Sequence, residues 1–292
     1  MEAEFDLFIG IDWSGAKGKS HRGIAVSEAN AGKSVPSIIS PPAHQRFWSR
    51  RSVMDYLIKR SREKKVLAGI DFAFSYPFID ENSYFPGAQN SPASVQELWA
   101  LIDSINIDAP DFYGGLIWQN PSFSVYYNAP NNRGDLFRSR RRKTEIFAKH
   151  IKSPSPTFNC VGPAGVGTGS LAGMRMLHKF DGIACRWPFE NNADYSLTLV
   201  EIFPSYYFAL AGINAIKGNH AQVMMLNKAL AFFGSNPLPD EFIANGPDFD
   251  EADALISSAA IRTLSAKQKL WDTPASANQE GWIFGVEYAI NL

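Results

Sequence analysis

FDLFIGIDWSG, residues 5–15, carries a short apolar run into a polar turn that contains glycine, and Asp12 stands at the junction. A buried strand reads this way where it meets the turn at its carboxyl end. The pattern returns in VLAGIDFAFSYP, residues 66–77, where Asp71 takes the place of Asp12. Two buried strands, each closing on an aspartate, set the frame for the rest of the chain.

Between them, HRGIAVSE (21–28) reads as a second strand, and residues 37–40 as part of a third before the Pro41-Pro42 break. RFWSRRSVMDYLIKRSREKK (46–65) follows, with Val53, Tyr56 and Leu57 at helical spacing and Arg50, Arg51, Lys59, Arg60, Arg62, Lys64 and Lys65 around the remaining surface. This predicts an amphipathic helix with a basic exterior. After Asp71, residues 78–195 are rich in Pro, Gly, Asn and aromatics and read as one long irregular insertion, with a short helix near Val95 to Ile105. SLTLVEIFPSYYF (196–208) is the next clear strand, with Glu201 near its end and Pro204 closing it. Helices are expected at about 206–213 and 219–233, then a helix headed by acidic residues, then EGWIFGVEYAI (280–290) as a closing strand or packed tail. The whole reads as a single domain over residues 1–292, without internal repeats.

Composition narrows the function classes. Hydrophobic content of 45% and charged content of 20% are ordinary for a globular chain, and the formal net charge of −1 argues against wholesale polyanion binding. Nucleic-acid contact would need a local patch. The opening has neither a basic n-region nor an apolar h-region, and no stretch supplies the run needed to span a bilayer, so a soluble, cytoplasmic protein with no membrane partner is expected. Cys160 and Cys185 are the only cysteines, and the five histidines show no H-x-x-x-H or H-x-E pairing. A disulfide framework and a zinc hydrolase site are therefore unsupported.

The acidic helix is DFDEADALISSAAIRTL, residues 248–264. Carboxylates in a first helical turn are favoured by the helix dipole by roughly 0.3–1 kcal/mol each, and Asp250 could serve as the cap. The alternative is that Asp250 and Asp253, neighbours on one helical face, reach for a metal ion. Other carboxylates must then converge on them, and Asp12, Asp71 and Glu201 end three separate strands. Singly, an aspartate before a turn is as well read as an Asx-turn; the coincidence of all four segments favours a shared site.

Strand, strand, strand, helix, strand, insertion, strand, helix is the element order of the RNase H-like fold, a mixed five-stranded sheet flanked by helices. The motifs GIDWSGAK, GIDFAFSYP, VEIFPS, DEADALISSAAI and EGWIF together resemble a domain-of-unknown-function family described as predicted RNase H-like nucleases. The final helix also resembles that of RuvC-type resolvases. The likeness runs from near residue 9 to near residue 284, with little from the insertion. It implies a metal-dependent nuclease with Asp12, Asp71 and Asp253 as catalytic residues, completed by Asp250 and Glu201, and Mg²⁺ or Mn²⁺ as cofactor. The chain departs from the commoner family opening in having Trp13 and Ser14 directly after the aspartate.

For substrate, DNA or RNA, the expected contacts are Lys17 and the run Arg138, Arg140, Arg141, Arg142 and Lys143. Such a run is also read as solvated surface, and Phe123, Tyr126 and Tyr127 as base-stacking or as core residues. The glycine-rich stretch GPAGVGTGSLAGMRMLHK (162–179) reads as a loop with a helix start, or as a phosphate loop; it fits neither the Walker pattern nor G-x-G-x-x-G nor G-x-S-x-G. Two rival readings follow. One is a phosphate- or nucleotide-binding protein related to the actin-like and sugar-kinase ATPases. The other is a non-catalytic RNase H-like binding module.

Overall fold

The computed structural model describes residues 4–162, 165–213, 219–246 and 249–288. Pro163-Ala164 of the glycine-rich stretch, Pro247-Asp248 of the turn before the acidic helix, and Ala289-Ile290 lie outside the described residues. The strands are β1 (Leu7–Asp12), β2 (Ala25–Asn30), β3 (Ser37–Ile38), β4 (Val66–Ile70), a small hairpin of β5 (Asn128–Ala129) and β6 (Asn132–Arg133), then β7 (Cys185–Arg186) and β8 (Leu197–Glu201). The helices are α1 (Arg50–Ser61), α2 (Val95–Ile105), α3 (Lys143–Ala148), α4 (Gly167–Lys179), α5 (Pro204–Leu210), α6 (Asn219–Phe232), α7 (Asp250–Ser265) and α8 (Ala277–Glu280).

The main sheet is mixed and six-stranded, in the order β3-β2-β1-β4-β8-β7. β2 is antiparallel to both β1 and β3, while β1/β4, β4/β8 and β7/β8 are parallel. The expected five strands are all present, and β7 is an addition supplied by the insertion. That insertion is not merely irregular. It contributes α2 and α4, which bury Leu98, Trp99, Ile102, Leu171, Met174 and Leu177 against one face of the sheet.

Alternation along the strands divides the core between two faces. Leu7, Ile9 and Ile11 of β1, with Val66, Ala68 and Ile70 of β4, join the core under α1, α2 and α4. Phe8 and Leu67 point the other way, into the core shared with α5, α6 and α7. α7 lies directly on β1, because the small residues of its inner face meet a glycine there. A Cβ on Gly10 would fall 2.3 Å from the Ala254 carbonyl oxygen, far inside contact distance. That seat fixes the acidic start of α7 over the end of β1.

Two details differ from the expected helices. Arg50 is not part of a basic exterior: it is fully buried, and Ser49 caps α1 through a capping box with Ser52. Asp250 is the first residue of α7 rather than its cap, a position held by Phe249 in left-handed conformation (φ 66°). The C-terminal stretch packs as a tail, joined to the sheet by a single bridge between Glu201 and Ile283. Among the described residues no helix is long and apolar enough to cross a membrane.

Candidate functional site: an acidic cluster between two recesses

The parallel pairing of β1 with β4 sets their ends side by side, with Ile11 opposite Ile70 and the Asp71 N–H donating to the Ile11 carbonyl at 3.0 Å. Asp12 and Asp71 share the parity of Phe8 and Leu67, so both face α7. α7 brings Asp250 and Asp253 to the same place. Asp12 is buried, and its Oδ1 accepts the Trp13 N–H at 3.0 Å. Burial, then the charges of Asp253, Asp71 and Asp250, push its carboxyl well above the usual range, and it is hydrogen-bonded to Asp250. Two carboxyl groups can share such a bond only if one of them keeps a proton. Asp71 is half-buried; burial, Asp253 and Glu201 push its carboxyl up as well.

Glu201 does not belong to this group in the way expected. It shares the parity of Leu197 and Leu199, which face the opposite core, whereas Ile202 takes the α7 face. Its carboxylate is accordingly taken by Arg142, through Nη1 to Oε2 at 2.7 Å and Nη2 to Oε1 at 2.5 Å, and accepts the Phe74 N–H at 2.9 Å. Arg142 also donates from Nε to Glu145 Oε1 at 2.8 Å. Burial opposes its charge, but Glu201 and Glu145 outweigh that and hold the guanidinium above its ordinary pKa.

The arginine run is therefore not one surface. Arg142 is 1% exposed and Arg140 is 9% exposed. Arg140 forks onto Asp80 and donates to the carbonyls of Pro77, Ser83 and Tyr84, so it pins a loop. Arg141 bonds the Pro154 carbonyl, and Arg138 pairs at the surface with Glu81. Lys143 and Lys17 are exposed, Lys17 one residue past the cleft wall at Ala16. Phe123, Tyr126 and Tyr127 are core residues, ringed with Phe85 and, for Tyr127, Tyr76 and Phe158.

A cleft of about 510 Å³ opens beside Asp71, walled by Trp13, Ser14 and Ala16, by Thr168 and Gly169 at the start of α4, and by Arg142 and Glu201. Two glycines of α4 are spent on contact. A Cβ on Gly173 would lie 2.3 Å from the Phe72 ring, and the Trp13 indole N–H donates to the Gly169 carbonyl at 3.1 Å. Gly167 and Gly173 let α4 pack closely, Gly173 against Phe72 beyond the end of β4, while Gly162, Gly165 and Gly169 of the same stretch line the cleft.

One element of this wall escaped the sequence reading. Arg50 donates to the carbonyls of Ser14 (2.8 Å), Ala16 (2.6 Å) and Asp111 (2.6 Å) and lies over the Trp13 ring; burial lowers its pKa to about 10. Asp111 itself sits at φ 46°, ψ 48°, and receives the Arg50 and Arg51 N–H groups and His21 Nε2. Arg50 thus clamps the turn that follows Asp12. Its only sequence signal was an arginine at the first turn of a helix, which surface arginines share.

Asp12, Asp71 and Asp253 offer hard oxygen donors; burial first, then mutual repulsion, pushes Asp12 and Asp71 toward the protonated form, and the repulsive part is the kind a cation relieves. Among the described residues no group of three or more His, Cys, Asp or Glu is spaced to hold a metal ion. Mg²⁺ commonly keeps several waters and one or two carboxylates, so the donors suit it in kind without a closed cage. Glu201, held by Arg142, does not fit the ligand role. No family model matches the chain, and neither a curated protein nor a solved structure does.

Proposed function

We propose that the protein is a divalent-metal-dependent phosphodiesterase acting on nucleic acid, built on an RNase H-like sheet. The observation that carries this is the convergence of Asp12, Asp71, Asp250 and Asp253, from two strand ends and a helix start, at the edge of an open cleft. The order β3-β2-β1-β4-β8 with only β2 reversed supports the fold assignment, β7 being an extra edge strand. Asp12 and Asp71 would hold Mg²⁺ or Mn²⁺. When bound, the ion supplies Lewis-acid polarisation of the phosphoryl oxygens.

The chain's own groups do the rest. Asp253, half-exposed at the head of α7, would take a proton from the attacking water. Asp250 orients Asp12 through their shared hydrogen bond. Trp13, held by Gly169 and covered by Arg50, gives the cleft a rigid wall beside the reacting phosphate. Close packing accounts for Gly167 and Gly173 of the glycine-rich stretch, and the nucleotide-binding alternative rests on the remaining glycines, which line the cleft.

The test is cleavage of end-labelled single- and double-stranded DNA and RNA by purified protein. Products that form with Mg²⁺ or Mn²⁺ and vanish with chelator are expected. No cleavage of any of the four with either metal would remove the phosphodiesterase reading.

A further inference from the structure

A second recess, of about 600 Å³, lies on the other side of Asp12. It is lined by Arg22, Ala25 and Val26 of β2, Ile38 of β3, Arg46, Phe47 and Trp48, with Asp250 and Glu251 opposite. The first cleft lies on the β4–β8 side, the second on the β2–β3 side, and the acidic cluster stands between them. Gly23 separates them: a Cβ there would lie 3.8 Å from Ser14 Oγ of the first and 3.9 Å from Asp250 Oδ2 of the second, so the two linings approach each other closely at this point.

The walls of the second recess are divided by charge. Glu251 is tied down, accepting the Asn245 backbone N–H at 2.7 Å and its side-chain amide at 3.1 Å, and Asp250 belongs to Asp12. Arg22 and Arg46 are exposed, and among the described residues neither makes an ion pair. The Arg46 guanidinium lies 5.2 Å over the half-buried Phe47 ring, a flat cationic surface of the kind on which bases stack.

We infer that the Arg22–Arg46 recess is a binding site for single-stranded nucleic acid, continuous with the cleft at Asp71, so that the substrate is a strand crossing the acidic cluster rather than a mononucleotide. The inference rests on the phosphodiesterase reading of that cluster and names its substrate class. The strand must be single, because a base reaches Phe47 and Arg46 only when unpaired. From β3 to β8 is four strand spacings of about 4.8 Å, roughly 19 Å. At about 3.4 Å per nucleotide, the rise of a fully stacked strand, that holds at most about six nucleotides.

Fluorescence anisotropy of labelled oligothymidylates of about two, six and twelve nucleotides, in EDTA at low salt, tests this on the full chain. The six-mer is expected to bind at least about tenfold more tightly than the two-mer, with little further gain at twelve. Arg22→Glu with Arg46→Glu is expected to abolish that gain, and the milder Arg22→Gln with Arg46→Gln to reduce it. The charge-matched control Lys149→Glu with Lys267→Glu keeps it. Equal six-mer affinity in the wild type and both arginine variants would overturn the inference, as would equal loss in the lysine control. So would equal binding of an oligoglutamate of matched charge, which would mark an acidic-peptide site. Binding is read without cleavage, so its failure speaks to the recess, while inactive wild-type protein speaks to the phosphodiesterase reading.

Discussion

Replacing Asp12 by Asn is expected to stabilise the metal-free protein at neutral pH while lowering metal-dependent cleavage at least about a hundredfold. The two effects have one origin. Burial, then the charges of Asp253, Asp71 and Asp250, push the Asp12 carboxyl well above its ordinary value of 3.8. The folded protein therefore binds more protons than the unfolded chain above that pH. Stability contributed by the protonated form is present below about pH 4 and is lost as pH rises through the folded-state value. Asp71 is shifted in the same direction and adds to the slope.

Asn has no charge to bury, so Asp12→Asn should flatten this slope and gain on the order of 1–3 kcal/mol at about pH 8, the scale of a buried group left poorly satisfied. A divalent cation should stabilise the wild type more at about pH 8 than at about pH 5, and the variant less than the wild type at either. Loss of an ion's charge stabilisation, worth several kcal/mol in the transition state, accounts for the loss of rate. Denaturant titrations across pH, with and without Mg²⁺, are the measurement. A variant less stable than wild type at every pH would mean that the Asp12 carboxylate is favoured, not strained, by its surroundings.

Arg142→Met is expected to cost about 3–5 kcal/mol, the range for breaking a buried ion pair from one side. Glu201 is 2% exposed and Glu145 is 1% exposed; without the guanidinium both become buried carboxylates lacking their counterion. The loss reaches the tail as well, since Arg142 also donates to the Glu280 carbonyl at 3.0 Å. Glu201→Gln in the Arg142→Met background should recover part of the loss, because one uncompensated charge is gone. Chemical denaturation of the two single variants and the double variant reads the coupling directly. A loss below about 1 kcal/mol for Arg142→Met, in the range of exposed pairs, would return this residue to the surface role its sequence neighbours suggest.

The two aspartate-ended strands were legible because a buried apolar run and a polar turn are local patterns, and because parallel pairing puts their ends together without further information. The acidic helix was legible for the same reason: its small residues demand a close seat, and Gly10 provides one. Glu201 misled because proximity to a strand end was read without its parity. In LTLVEI the residue equivalent to Asp12 and Asp71 is Ile202, and the alternation needed to see this was already present. The arginine run was misread for a different reason. Whether Arg140 and Arg142 are solvated or buried depends on Asp80 and Glu201, each about 60 residues away, and no local pattern encodes such partners. The Arg50 clamp and the Arg22–Arg46 recess share that limit, each assembled from segments far apart in the chain.

On this reading Asp12 and Asp71 hold one cation beside Asp253. An anomalous difference map from a crystal soaked in Mn²⁺ tests it most directly. A peak within coordination distance of the Asp12 and Asp71 carboxylates, beside Asp253 and away from the Arg142-bound Glu201, is the predicted result. A map with no peak there, with Asp12 still bonded to Asp250, would contradict the account and leave the acidic start of α7 as a feature of helix electrostatics.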